Sequence, residues 1–160
     1  INTTGLTLSM LQKRICEIFV DGGTRRDILI NVVAFGFKYG IPIDADLVFD
    51  VRFLPNPYYI KDIRAYTGLE APVRDYVLGK EETREFLGHL YELVDYLLPL
   101  YQREGKRRLM IAVGCTGGAH RSVAISEALG AHLRALGQTV SVTHRDISIE
   151  EASWPFRRVK

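Results

Sequence analysis

The stretch LMIAVGCTGGAHRSVAISEAL, residues 109–129, is the most informative part of the chain, because it predicts a strand, a glycine-rich turn and a helix in direct succession. The apolar run at 109–113 is typical of a buried strand, and the apolar spacing after Ser122 is that of a helix. Glycines in the turn Gly114–Ser122 let the backbone approach a ligand closely. The first N–H groups of the helix have no partner inside it, so this turn is suited to binding an anion.

The rest of the chain predicts the fold class. Strands are predicted at 28–35, 46–53, 107–113 and 139–144, and helices at 81–102 and from the turn to Leu136. Pro99 is expected to kink or interrupt the helix at 81–102. Because strands and helices alternate, we predict a single three-layer α/β domain with a mostly parallel sheet.

The domain is assigned to residues 28–147. A leader and a linking helix are predicted at 1–27, where the helical pattern begins at Thr7. A polar C-terminal tail is predicted at 148–160, and disorder is the expectation for it.

Composition excludes several classes of protein. The 160 residues are 47% hydrophobic and 25% charged, as in a globular domain and not in a disordered one. The net charge of +2 neither requires nor excludes a nucleic-acid partner. No apolar run is long enough to cross a bilayer, and two cysteines form no disulfide framework, which favours a cytoplasmic protein. The four histidines are scattered without a metal-binding motif, so no metal is expected.

Polar side chains cluster within one helical turn of the predicted helix start. Arginine binds phosphate through two parallel hydrogen bonds, hydroxyl groups add further bonds, and a histidine adds charge and a donor. The alternative is a glycine-rich turn with a purely structural role, which any α/β protein can contain. We favour a site for a phosphate or a phosphosugar, formed by Thr116, Gly117, Gly118, His120, Arg121 and Ser122.

A catalytic reading of the same turn is the alternative function. Cys115 and Arg121 are separated by five residues, which resembles the signature of cysteine-dependent phosphatases. Gly114 stands where that signature usually has a histidine. A general acid would also be needed, and Asp50 and Asp146 are candidates without a supporting motif.

Three further features leave alternatives open. Asp50 and Arg52 project to the same side of the predicted strand, so either they form a structural salt bridge or Arg52 reaches a ligand at the carboxyl end of that strand. The loop at 54–59, with two prolines and two tyrosines, is either a ligand rim or a packed connection. Lys38 either reaches a phosphate or is solvated.

Five segments together carry a family resemblance. They are FGFKYGIPIDAD at 35–46, VFDVRFLPNP at 48–57, TGL at 67–69, GCTGGAHRS at 114–122 and HRD at 144–146. These segments resemble the C-terminal domain of the RapZ-type RNase adapters, also called YvcJ-type nucleotide-binding proteins. The resemblance covers nearly the whole chain.

The resemblance implies a bacterial cytoplasmic protein and a domain like the sugar-phosphate-binding domain of phosphofructokinase. Such a domain senses an amino-sugar metabolite, which is glucosamine-6-phosphate in the adapters and a UDP-amino sugar such as UDP-N-acetylglucosamine in other relatives. It implies no catalysis and no cofactor here, since ATP or GTP belongs to the family's N-terminal P-loop domain, which this chain lacks. The implied partners are a small RNA, an RNase and further copies of the chain.

The family's metabolite site maps onto the turn, with Arg52 and Asn56 as neighbours. One departure is Tyr58, which stands where some adapters have a ligand-contacting histidine. Another is the tail, where Glu150, Glu151 and Trp154 interrupt the basic residues of the adapters. The residues expected to contact RNA are Lys38, Arg145, Arg157, Arg158 and Lys160.

Overall fold

The computed structural model describes residues 27–155. Its strands are β1 (Leu29–Gly36), β2 (Leu47–Asp50), β3 (Arg108–Cys115) and β4 (Thr139–His144). They form one parallel sheet in the order β2–β3–β1–β4, with Gly36 of β1 opposite Cys115 of β3. Because every strand runs the same way, all four carboxyl ends lie at one edge of the sheet.

Helices flank this sheet. They are α1 (Ala71–Leu78), α2 (Glu81–Glu104), α3 (Arg121–Ala135) and α4 (Ile147–Ser153), and short 3₁₀ turns lie at Phe37–Tyr39 and Pro57–Tyr59. The chain is therefore an α/β domain of the layered, parallel type that the sequence predicts. Within residues 27–155 no helix is both long and apolar enough to span a bilayer.

The core lies between the sheet and the helices. Its strand side chains alternate along β1 and β3, as expected for one face of a sheet, and its α2 side chains follow a helical spacing. Burial of these aliphatic side chains is the main stabilising contribution. The core includes Ile30, Val32, Leu109, Ile111 and Val113 from the strands and Leu87, Leu90, Val94 and Leu98 from α2.

The strand predicted at 46–53 is shorter in the structure. β2 ends at Asp50 because its carboxylate accepts a hydrogen bond from the backbone N–H of Arg52 at 2.9 Å, which turns the chain. Leu54 then donates its N–H to the carbonyl of Val51 at 3.2 Å. Phe53, which lies beyond the end of β2, is 63% exposed.

Of the two effects expected of Pro99, a kink or an interruption, the interruption is wrong. Helix α2 runs without a break from Glu81 to Glu104 and contains Pro99. Pro99 lies on the exposed side, where water can satisfy the carbonyl that lacks a helical N–H partner.

The prediction of a disordered tail is also wrong for the described part of it. Residues Ile147–Ser153 form α4, and Trp154 after it is only 7% exposed. The buried carboxylate of Asp146 accepts a hydrogen bond from the N–H of Gly36 at 2.8 Å, which attaches the start of α4 to the end of β1. The helix predicted from Thr7 and the basic residues Arg157, Arg158 and Lys160 lie outside the described residues.

Candidate ligand-binding site

A cavity of about 290 Å³ opens at the carboxyl edge of the sheet. The loops that follow β2, β3 and β4 contribute its walls, which is where ligands bind in open parallel α/β sheets. Its lining residues are Asn56, Tyr58, Tyr59, Cys115, Thr116, Gly117, His120, Arg121 and Glu150. The predicted residues Thr116, Gly117, His120, Arg121 and Asn56 thus come together, although Asn56 is 60 positions from Thr116 in the chain.

Close backbone packing fixes the glycine-rich turn. Gly118 has a φ of +82°, and a Cβ placed on it would lie 2.6 Å from the backbone nitrogen of Gly36. A Cβ on Gly36 would in turn lie 2.6 Å from the carbonyl carbon of Gly117. Glycines at these positions therefore let the turn rest on the end of β1.

Arg121 begins α3 and its side chain is almost fully buried. Its Nη1 donates to the carbonyls of Arg52 and Leu54, at 2.5 and 3.0 Å, and its Nη2 donates to Oγ1 of Thr116 at 3.4 Å. Burial lowers the pKa of the guanidinium below its usual value, yet an arginine keeps its charge in proteins. Arg121 thus joins the loop after β2 to the turn after β3 and brings a positive charge to the cavity wall.

No carboxylate forms an ion pair with Arg121 in the part of the chain that the structure describes. Its Nε is buried and has no hydrogen-bond partner among those residues. A buried arginine normally has an anionic partner, since burial of an unpaired charge is costly. An anion in the cavity would supply that partner.

His120 does not supply the positive charge expected from the sequence. Its ring is buried and stacks on Trp154 with 5.0 Å between centroids. Nε2 lies 3.1 Å from the carbonyl of Arg64, so Nε2 carries the hydrogen and donates it. Burial lowers the pKa of His120, which favours the neutral ring.

Cys115 and Ser122 form a buried pair behind the turn. The Sγ and Oγ atoms are 3.1 Å apart, and the N–H of Gly118 donates to Sγ at 3.3 Å. Cys115 reaches the cavity wall, whereas Ser122 is fully buried and does not. Ser122 therefore lies beside the thiol of Cys115 and does not line the cavity.

Both candidate general acids have basic partners. Asp50 binds the side chain of Arg52 with three contacts of 2.7 to 3.0 Å, and this partner lowers the pKa of Asp50. Asp146 binds Arg145 at 2.8 and 2.9 Å. The lowered pKa of Asp50 makes this carboxylate a poor proton donor.

Arg52 takes the first of its two predicted roles, the structural salt bridge. Its guanidinium pairs with Asp50 and lies over the ring of Phe37, 4.1 Å from the centroid. Only its carbonyl takes part in building the site, as an acceptor for Arg121.

Asn56 lines the cavity while it also shapes the loop. Its Oδ1 accepts a hydrogen bond from the N–H of Tyr58 at 3.2 Å and so caps the 3₁₀ turn at Pro57–Tyr59. The loop tyrosines Tyr58 and Tyr59 form part of the wall, which agrees with the ligand-rim alternative.

Lys38 and Arg145 both have acidic partners. Lys38 forms an ion pair with Glu150, which raises the pKa of the lysine. Arg145 donates to Asp146 and to the carbonyl of Gly40 at 2.6 Å. The two described residues that were expected to contact RNA are therefore held by intramolecular bonds.

Two residues of the site were missed from the sequence. Glu150 lines the cavity and Trp154 packs on His120, yet both lie in the stretch taken for a tail. The available signal was Trp154 itself, the single tryptophan of the chain, because a large apolar side chain in a polar segment indicates a docked segment.

A second cavity, of about 460 Å³, lies toward the amino ends of the strands. Leu29, Asn31 and Met110 line it, together with Asp44 and Asp46. Although it is larger, it lacks a glycine-rich turn, and Asp46 is already paired with Lys106 at 2.7 Å. Across residues 27–155 no group of three or more His, Cys, Asp or Glu side chains could hold a metal ion.

Comparison with known proteins gives consistent matches. The family model described as the RapZ C-terminal domain matches residues 28–148. A nucleotide-binding protein of Finegoldia magna is 52% identical over 146 residues, which cover 91% of this chain and 51% of that protein. A nucleotide-binding protein of Acetivibrio thermocellus is 53% identical over 147 residues, which cover 92% of this chain and 50% of that protein. The chain spans about half the length of the curated relatives it matches.

Proposed function

Because this chain belongs to the family of the RapZ C-terminal domain, we propose that it is a metabolite-sensing domain that binds a phosphorylated amino sugar or a nucleotide sugar. The phosphate lies against the Gly114–Ser122 turn, and the sugar lies toward Asn56, Tyr58 and Tyr59. The observation that carries this proposal is Arg121, a buried cation on the cavity wall without a carboxylate partner among the described residues.

The arrangement suits recognition of an anion. Arg121 supplies charge, and Thr116 supplies a hydroxyl within 3.4 Å of Nη2 of Arg121. The start of α3 adds backbone N–H groups and the positive end of the helix dipole. Aromatic rings such as those of Tyr58 and Tyr59 give a sugar both an apolar face and hydroxyl partners.

Calorimetric titration with glucosamine-6-phosphate and with UDP-N-acetylglucosamine tests the proposal. We expect binding of at least one ligand, weakened about tenfold by Thr116→Val, since a hydrogen bond to a charged group typically contributes such a factor. Arg121→Lys is expected to weaken binding further, because lysine lacks the planar fork that holds phosphate.

The control is Thr139→Val, which makes the same change at an exposed position at the start of β4. It is expected to leave the affinity unchanged. The proposal fails if neither ligand binds, or if Thr116→Val and Thr139→Val have equal effects.

A cysteine-dependent phosphatase is the second candidate, and the position of Cys115 favours it. Its Sγ lies at the cavity wall, accepts the N–H of Gly118 and is close to Arg121. The ion pairs of Asp50 and Asp146 count against it, since they leave no assigned proton donor.

The two candidates differ in what Cys115→Ser does. For a sensing domain we expect no turnover of an aryl phosphate by the wild type and unchanged sugar-phosphate binding in the variant. Hydrolysis that is present in the wild type and absent in Cys115→Ser would establish the phosphatase instead.

Binding of ATP or GTP and binding of RNA are not part of this proposal for the described residues. The relatives named nucleotide-binding proteins are about twice as long as the matched stretch, and we place the nucleotide in their other half. Lys38 and Arg145, the described candidates for RNA contact, are engaged in ion pairs.

A further inference from the structure

Cys115 is a nucleophilic residue for which a sensing domain has no evident use. It ends β3, lines the same cavity as Arg121 and Thr116, and is 3% exposed. The other cysteine of the chain, Cys16, lies outside the described residues. Because Cys115 lines the cavity, a molecule small enough to enter the cavity can reach it.

The surroundings of the Cys115 sulfur suit a reactive group. The N–H of Gly118 donates a hydrogen bond to Sγ at 3.3 Å, and Oγ of Ser122 lies 3.1 Å from Sγ. The positive charge of Arg121 is close enough to interact electrostatically with Cys115. Hydrogen-bond donors and cations stabilise the thiolate, which is the nucleophilic form of a cysteine.

An independent observation points to an anion beside this sulfur. Arg121 is 4% exposed and forms no ion pair with a carboxylate within residues 27–155. Its buried Nε has no hydrogen-bond partner among the same residues. A negatively charged group formed on the neighbouring sulfur would satisfy this arginine from within the protein, as a bound phosphate would from outside.

Packing around Sγ determines where an added oxygen atom would lie. Ser122, which is fully buried, occupies the side of Sγ toward α3, and the N–H of Gly118 approaches from the turn. The cavity that Cys115 lines is the open side. An oxygen bonded to Sγ would therefore take up part of the volume that we assign to the phosphate, near Arg121.

We propose that Cys115 is a site of reversible oxidation by hydroperoxides, and that its oxidation prevents the cavity from binding a sugar phosphate. The sulfur attacks one oxygen of hydrogen peroxide, so that an S–O bond forms as the O–O bond breaks. Sulfur loses two electrons, the peroxide gains them, and the departing hydroxide takes up the thiol proton as water. The product is a sulfenic acid, whose anion pairs with Arg121 in place of the phosphate. This regulation rests on the proposed function.

Peroxide treatment of the 160-residue chain tests the proposal. Dimedone, which traps sulfenic acids, is expected to label Cys115, as located by mass spectrometry of the digested chain. In a separate sample without dimedone, calorimetry is expected to show about tenfold weaker binding of glucosamine-6-phosphate or of UDP-N-acetylglucosamine, because the phosphate loses a hydrogen bond to a charged group. Dithiothreitol is expected to restore the affinity, since thiols reduce a sulfenic acid.

The two cysteines provide matched variants. Cys115→Ser has no sulfur to oxidise at the cavity, so its affinity is expected to be equal before and after peroxide. Cys16→Ser makes the same change at the other cysteine, and it is expected to lose affinity after peroxide as the wild type does. A measurement that needs no mutation is ligand protection, because saturating sugar phosphate is expected to slow the labelling of Cys115.

The outcomes separate this proposal from the proposed function. If Cys115 is not labelled, or if the labelled chain keeps its affinity, the regulation is overturned and the proposed function stands. A loss of affinity in peroxide-treated Cys115→Ser also overturns the regulation, because another residue would then be responsible. If neither ligand binds to the untreated wild type, the proposed function fails and the regulation with it.

Discussion

Gly118 shows how the turn depends on a single residue. Its φ of +82° is a conformation that L residues adopt only with strain, and a Cβ would meet the backbone nitrogen of Gly36 at 2.6 Å. Gly137 has a similar φ of +77°, but no atom lies within 4 Å of its Cβ position. Substitutions at the two glycines therefore distinguish the free-energy cost of the backbone conformation from that of the close contact with β1.

We predict that Gly118→Ala destabilises the protein by about 2–4 kcal/mol, because it combines backbone strain with overpacking. Gly137→Ala has the strain alone and is expected to cost about 1 kcal/mol. Urea unfolding of both variants measures the difference. Equal losses in the two variants would show that the contact between the turn and β1 is not tight.

Helix α4 contributes one wall of the site through Glu150. It is only seven residues long, and a helix of that length is not stable alone, so tertiary contacts must hold it. Those contacts are the stack of Trp154 on His120 and the bond from Gly36 to Asp146. The protonation of His120 is therefore expected to affect the stability of this part of the fold.

Burial lowers the pKa of His120 below its ordinary value of 6.5. The unfolded chain thus takes up a proton more readily than the folded one. The contribution of the neutral ring to the free energy of unfolding is therefore fully present above pH 6.5. It is lost as the pH falls from 6.5 toward the lower pKa that His120 has in the folded protein. We predict that acidification from about pH 7.5 to about pH 5.5 lowers the free energy of unfolding more in the wild type than in His120→Asn.

Fluorescence of Trp154, the only tryptophan in the chain, reports urea unfolding at both pH values. His89→Gln is the control, because His89 is an exposed histidine on α2. It is expected to show the acid sensitivity of the wild type. An equal loss of stability in the wild type and in His120→Asn would contradict a neutral, buried His120.

The parallel sheet brings together site residues that are distant in the sequence. Tyr39 and Glu150 are 111 positions apart in the chain and still share a hydrogen bond. Ion pairs near this edge join Lys38 to Glu150, Arg52 to Asp50 and Arg145 to Asp146. Arg121 is the cation at the cavity wall for which a ligand would be the anion.

Local sequence patterns predicted the fold and the central turn well. The strand, turn and helix at 109–129 depend on apolar periodicity and glycine, which are properties of neighbouring residues. The family resemblance alone placed Asn56 beside the turn, and the parallel sheet explains their proximity because the loops after β2 and β3 follow neighbouring strands. The family resemblance pointed to the same residues, and the matched family model confirms the family.

Long-range contacts were what the sequence could not predict. β2 ends early because the side chain of Asp50 bonds to the backbone, which competes with the strand. α4 is too short for a helical pattern to be recognised, and its order comes from Trp154 and Asp146 contacts with distant residues. For the same reason Glu150 was taken for a tail residue, although it lines the cavity.

The most direct test of the anion site is a nitrogen–proton correlation spectrum of the 18.1 kDa chain during titration with glucosamine-6-phosphate. We predict that the largest chemical-shift changes occur at the backbone amides of Thr116, Gly117 and Gly118. The absence of shifts at saturating ligand would contradict it. So would shifts confined to the cavity lined by Leu29 and Met110 at the other end of the strands.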